Sequence, residues 1–320
     1  MSTQVDSTQI DNTSLPGCAA NDRLPACWGH RGASAAFPEN TLSSFEAAIR
    51  DGAEGIETDV HVSADGVVCM FHDPSLERTT DGKGMIADLN YKDGIELVRT
   101  LKQPFQKIPT FEETIEMLMH ESNRHVVLNI DCKPQNDPER LFKLMRSSID
   151  RYPNHATELS PRLILGLWHP KFIIPSMEIL PELKRAHIGN SPSVAMKYFW
   201  KNCDGFSMKF SCLVNKEGVE FRRRCKEDGK ALLVWTVNDR SEMIEAAKWG
   251  VDAILTDRTN SYLQLRQQMH DDWKAVSSET TALFPYSSIY YSGVVSWLSE
   301  TWASYYLTRS AGPFPTLTAS

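Results

Sequence analysis

The sequence predicts an α/β fold, a TIM-type (β/α)8 barrel with an extra β-hairpin after strand two and a C-terminal aromatic amphipathic helical tail. Three observations point there. From about residue 26, short apolar runs alternate with helical patterns, the mark of a parallel sheet covered by helices. No G-x-G-x-x-G turn follows the first strand, which removes the main support for a doubly wound open sheet. Residues with acid–base or anion-binding chemistry fall at strand ends, where barrel enzymes keep their active sites.

Residues 1–22 are polar and lack both the positive n-region and the apolar core of a signal peptide, so they read as a disordered leader. Strands are expected at 26–30, 54–60, 125–131, 162–168, 184–189, 204–210, 231–237 and 252–256. Between them, helices are expected at 40–51, 110–121, 137–151, 171–180, 192–201, 216–228 and 241–249. Asn40-Thr41 supplies an N-cap for the first helix and Ser241 one for the last. The run 60–72 has Asp65-Gly66 at its centre between alternating apolar residues, a hairpin signal. The expected division is a leader at 1–22, a catalytic barrel at 23–265 and a tail at 266–320.

The formal charge of -7 argues against a nucleic-acid backbone as partner. Seven scattered cysteines without a C-x-x-C pair fit reduced thiols better than a disulfide framework or a zinc site.

Glu57 and Asp59 are two apart on a strand, so their side chains share a face. Either the pair is solvated outside the barrel or a cation neutralises it inside. Oxygen donors without thiols suit Mg2+ or Ca2+. Asp131 repeats the pattern with Lys133 on the third strand, giving a third oxygen ligand and a cation aimed at a phosphate. Histidine is the side chain whose ordinary pKa lies close to neutrality, so His30 and His72 suit proton transfer. Arg31 offers a planar fork for two phosphate oxygens. Trp235 ends the seventh barrel strand and borders the pocket. The other histidines lack a partner motif, and Arg222-Arg223-Arg224 reads as a solvated helix face.

The ordered runs His30-Arg31-Gly32, Pro38-Glu39-Asn40-Thr41, Glu57-x-Asp59, His72-Asp73, Asp131-x-Lys133, Trp235-Thr236-Val237-Asn238 and Leu255-Thr256-Asp257 resemble the glycerophosphodiester phosphodiesterase family. The resemblance implies a TIM barrel, a divalent metal on Glu57, Asp59 and Asp131, His30 and His72 as acid and base, and a phosphate held by Arg31 and Lys133. It also implies that Glu39 orders the loop under the site. Asp131 departs from the usual glutamate and is shorter by one carbon, about 1.5 Å of reach.

Two features bear on the substrate. The stretch 73–109 is modest for a capping insert. The tail carries no charge from Thr280 to Ser299, and Tyr290, Val294, Trp297, Leu298, Trp302 and Tyr305 form an apolar stripe if the whole segment is helical. Such a helix fits a membrane or lipid-droplet surface facing the cytosol, with packing on the barrel as the alternative. A short-insert barrel with this tail is similar to the fungal phosphatidylglycerol phospholipase C branch of the family. The expected reaction is therefore cleavage of phosphatidylglycerol to diacylglycerol and glycerol 3-phosphate. The alternatives are hydrolysis of soluble glycerophosphodiesters, or a catalytically silent lipid-binding barrel.

Overall fold

The computed structural model describes residues 15–18 and 24–314. Strands β1 (Ala26–His30), β2 (Gly55–Val62), β3 (Val68–Met70), β4 (Val127–Cys132), β5 (Leu163–Leu167), β6 (Lys184–Gly189), β7 (Gly205–Lys209), β8 (Ala231–Trp235) and β9 (Ala253–Thr256) form one sheet. Its order is β1-β9-β8-β7-β6-β5-β4-β2-β3, and β1 also pairs with β2. That last pairing closes eight parallel strands into a barrel. β3 stays outside the ring, antiparallel to β2 with Val60 opposite Met70 and Val62 opposite Val68. The turn between them uses Gly66 at φ +84, a left-handed conformation that glycine adopts without a Cβ clash.

Helices α1 (Leu42–Asp51), α2 (Phe111–Met119), α3 (Pro138–Ile149), α4 (Ile173–Ile179), α5 (Pro192–Val194, continued by a wider turn to Phe199), α6 (Lys216–Glu227), α7 (Arg240–Trp249) and α8 (Thr259–Asp271) follow the strands. Thr41 caps α1: its side chain accepts from Ser44 N, and Ser44 answers at the Thr41 backbone. The Ser241 cap does not form; α7 starts one residue earlier, after Asp239, with no side-chain cap. The main core lies between strands and helices, around Phe45, Phe142, Phe199, Phe206 and Phe221.

Two expected boundaries need correction. The barrel does not end at 265, because α8 runs on to Asp271 and buries Tyr262, Leu265 and Met269. The leader is also not wholly unstructured. Leu15 is buried among Ala26, Trp28, Val127, Ile164 and Leu233 at the floor of the barrel. Trp28 Nε1 donates to Gly17 O at 3.0 Å, and Gly17 sits at φ +69 with Val127 too close for any Cβ. An apolar floor must be covered, and a leucine followed by a tight turn covers it. The rest of the leader, 1–14 and 19–22, lies outside the described residues.

After α8 come a short α9 (Trp273–Ser277) and α10 (Gly293–Ala311). Tyr290 belongs to a separate turn, Ile289–Tyr291, so the expected stripe is not one continuous helix. The tail packs on the barrel. Phe284 and Tyr291 lie against Phe210, which stacks on Trp249, and α10 buries Ala303 and Leu307. Its polar ties go to loops at the strands' C-terminal ends: Gln135 to Tyr306 OH at 2.8 Å, His169 to Gly312 O at 3.1 Å and Ser191 to Glu300 at 3.3 Å. Yet Tyr290, Val294, Trp297, Trp302 and Tyr305 each keep more than 60% of their surface exposed. No described helix is long and apolar enough to cross a membrane.

Candidate active site

Every residue singled out for chemistry lines one cavity of about 250 Å³ at the C-terminal mouth of the barrel: His30, Arg31, Glu57, Asp59, His72, Asp131, Lys133 and Trp235, with Trp168 beside them. The pleat explains the convergence. Glu57 and Asp59 on β2 and Asp131 on β4 project inward, and Asp59 lies directly across from Asp131 in the register.

Buried among these acids, two cations hold the charge. Lys133 Nζ lies 2.6 Å from Asp59 Oδ1 and 2.7 Å from Asp131 Oδ2. Arg31, at φ +56, turns the chain so that its own N–H donates to Glu57 Oε2 at 3.1 Å. Its guanidinium reaches Glu39 Oε1 at 3.0 Å, while its Nε lies 3.3 Å from Asp59 Oδ2 without a hydrogen-bond partner. Asn40, also at positive φ, donates to Asp59 Oδ2 at 2.7 Å.

The carboxylates respond differently to these surroundings. Burial, then the charges of Asp59 and Asp131, push Glu57 well above the ordinary carboxylate range. Burial pushes Asp131 up to about 6 despite Lys133. Burial would also raise Asp59, but Lys133 and Arg31 overcome it and hold Asp59 well below the usual range.

Each histidine has a carboxylate on Nδ1. His30 Nδ1 is 2.7 Å from Asp257 Oδ1, which also accepts from Ser34 at 2.7 Å, while Asn238 donates to Oδ2 at 2.6 Å. His72 Nδ1 is 2.6 Å from Asp73 Oδ1, and Arg78 bridges Asp73 to Glu39. Burial lowers the His72 pKa to about 4, with Lys133 and Arg31 working in the same direction. His30 Nε2 lies 3.4 Å from Thr236 Oγ1 and 3.9 Å from Glu57 Oε2.

The family model for the glycerophosphoryl diester phosphodiesterase family matches residues 30–261. The chain belongs to this family. A glycerophosphodiester phosphodiesterase of Caldanaerobacter subterraneus subsp. tengcongensis is 28% identical over 246 residues, 74% of this chain and 95% of that one. Human glycerophosphodiester phosphodiesterase 1 is 37% identical over 157 residues, covering 44% of this chain and 45% of its own. Among solved structures, an Oleispira antarctica phosphodiesterase in complex with sn-glycerol-3-phosphate has a TM-score of 0.64 at 23% identity, over 76% of this chain and 97% of that one. A Silicibacter pomeroyi homologue reaches a TM-score of 0.68 at 18% identity, over 79% and 97%. As a family member the chain is a phosphoric diester hydrolase. The names of these relatives speak of glycerophosphodiesters, and the family match ends at residue 261, before the tail.

The acids of this phosphodiesterase fit a divalent cation. Glu57, Asp59 and Asp131 each present an oxygen within 4.8 Å of the others. Asp131 Oδ1 is buried with no protein partner, an arrangement that is costly unless something else binds there. The shorter Asp131 is held in place by Trp168, whose Nε1 donates to Oδ2 at 2.9 Å.

Sequence reasoning left four positions without a role. Asp257 and Trp168 sit at or just past strand ends, so the rule that found His30 and Asp131 was enough to find them. Asn40 was read only as a helix cap. Arg78 carries no local signal, because it acts from a loop that the fold brings back to the rim.

Proposed function

We propose that the protein hydrolyses glycerophosphodiesters to glycerol 3-phosphate and an alcohol, using Mg2+ or Ca2+. The observation that carries this reading is the joint placement of two carboxylate-oriented histidines and three buried acids in one cavity. Glu57, Asp59 and Asp131 would hold the cation, which supplies charge neutralisation for the phosphoryl oxygens. Arg31 and Lys133 add positive charge where the transition state gains negative charge. One histidine Nε2 removes the proton of the attacking hydroxyl or water. The other protonates the departing alkoxide, and each carboxylate on Nδ1 fixes its ring. Trp168 and Trp235, edge to face at 5.7 Å, wall the cavity and exclude water.

A second reading is favoured by the rim. Trp297, Trp302 and Tyr305 on the tail, and Leu101 and Phe105 on the 73–109 lobe, are exposed, and Lys102 ties that lobe to the loop after β1. Bulky apolar side chains on two arms beside the mouth suit contact with a bilayer or lipid-droplet surface. Phosphatidylglycerol, itself a glycerophosphodiester with diacylglycerol as the leaving alcohol, then becomes the substrate. A product assay on purified protein with glycerophosphocholine and phosphatidylglycerol side by side tests both. Turnover of glycerophosphocholine alone supports the first reading; a strong preference for phosphatidylglycerol in vesicles supports the second. Turnover of neither, with added metal, overturns both.

A further inference from the structure

A second cavity adjoins the catalytic one. It has a volume of about 1170 Å³ and runs between the barrel rim and the tail, and Trp235 lines both cavities. Thr236, which neighbours His30 Nε2, lines it too. Phe210 and Trp235 form its barrel wall, and Val295, Leu298, Trp302 and Tyr305 form its tail wall. Glu242, at its edge, is engaged by Tyr291 OH at 2.6 Å.

The sizes of the two cavities decide what each can hold. Sites for small organic ligands run to about 300–1,000 Å³, so a catalytic cavity of about 250 Å³ holds a phosphate with one small alcohol and little more. The other ester group must leave through the mouth, and on the side of Trp235, which lines both cavities, that exit borders the groove. Its walls are mostly apolar and reward an apolar group. Its charged lining is one cation, Lys209, against two carboxylates, Asp239 and Glu242, a balance that disfavours a second anionic head.

We propose that this groove is an acyl subsite: it binds the acylglycerol part of a lipid phosphodiester whose phosphate sits at His30 and His72. α10 is then a wall of the substrate site as well as a surface helix. The inference rests on phosphodiester cleavage in the catalytic cavity and adds a substrate class to it.

The test compares two substrates with the same glycerol phosphate head, both monomeric in solution: glycerophosphoglycerol, and dihexanoyl phosphatidylglycerol below its critical micelle concentration. Without a lipid surface, membrane docking contributes nothing. The reading is the ratio of kcat/KM for the acylated over the deacylated substrate in the full chain. Leu298→Asp places a carboxylate in the apolar wall, at a side chain 55% exposed, so folding is spared. Trp297→Asp is the control, an exposed side chain of the same helix outside the groove lining. The expected result is a ratio lowered about tenfold or more by Leu298→Asp, through KM, and unmoved by Trp297→Asp. An unchanged ratio in Leu298→Asp overturns the subsite. So does an effect that appears only on vesicles and equally in Trp297→Asp, which assigns the tail to membrane contact alone. If the wild-type chain cleaves neither substrate, it is the phosphodiesterase reading that fails.

Discussion

The catalytic cavity and the tail lie side by side on one rim and are built on opposite terms. In the cavity the charged groups are tied to one another: Asp59 alone meets Lys133, Arg31 and Asn40. On the tail, large aromatic groups face solvent, and a few hydrogen bonds with two buried aliphatic side chains hold α10 down. The contrast separates two kinds of specificity. The cavity is pre-organised for one charge distribution, so it selects a reaction. The tail presents an apolar face beside that cavity, and in the reading proposed above it would select what carries the reacting group.

The sharpest way to break that division is at the histidines. His30→Ala or His72→Ala should lower kcat by about 10²–10⁴ with the unfolding midpoint unchanged; a variant that keeps near-full activity would remove that histidine from the mechanism. Next in size, chelation should abolish turnover, and Mg2+ or Ca2+ should restore it in the wild type but not in Asp131→Ala. Trp168→Phe keeps the wall and loses the hydrogen bond to Asp131, so the metal concentration for half-activation should rise about 10–100-fold.

Smaller is a pH effect on stability. His187 is stacked on Phe199, donates from Nδ1 to Leu167 O, and leaves Nε2 buried without a partner. Burial lowers its pKa from 6.5 to about 3. The unfolded chain therefore binds more protons below 6.5, and this contribution is complete above pH 6.5 and lost as pH falls toward 3. His187→Asn should show a shallower decline of the urea midpoint between pH 6.5 and 4 than the wild type; equal slopes would contradict the assignment. Smallest of all, Trp297→Ser with Trp302→Ser should leave the unfolding midpoint within error, because both side chains are already exposed, while co-sedimentation with anionic vesicles should fall. Unaltered sedimentation would remove membrane contact from the tail.

The strands were legible because a barrel strand needs a short, mostly apolar run. At the active-site rim several of these runs carry a polar residue at or near the C-terminal end, among them His30, Asp59 and Asp131. Those three could be placed by that rule alone. The tail was less legible. The spacing of Tyr290, Val294 and Trp297 fits one helix, but Ser292 caps a new helix at Gly293, and the cap breaks the period. Leu15 was missed because a single leucine within a polar segment has no periodicity; its signal is the apolar floor it covers. The bridge from Glu39 through Arg78 to Asp73 spans 39 residues and depends on tertiary geometry alone.

The Leu15–Gly17 segment gives the two ends of the barrel different tolerances. Removing residues 1–22 would look harmless from composition, yet it unstoppers the floor and wets Trp28 and Val127. The loss would register as thermal fragility and aggregation, while the surviving folded fraction worked at full speed. For anyone attaching a tag or a fusion partner, the safe junction lies before Leu15 rather than at the first strand.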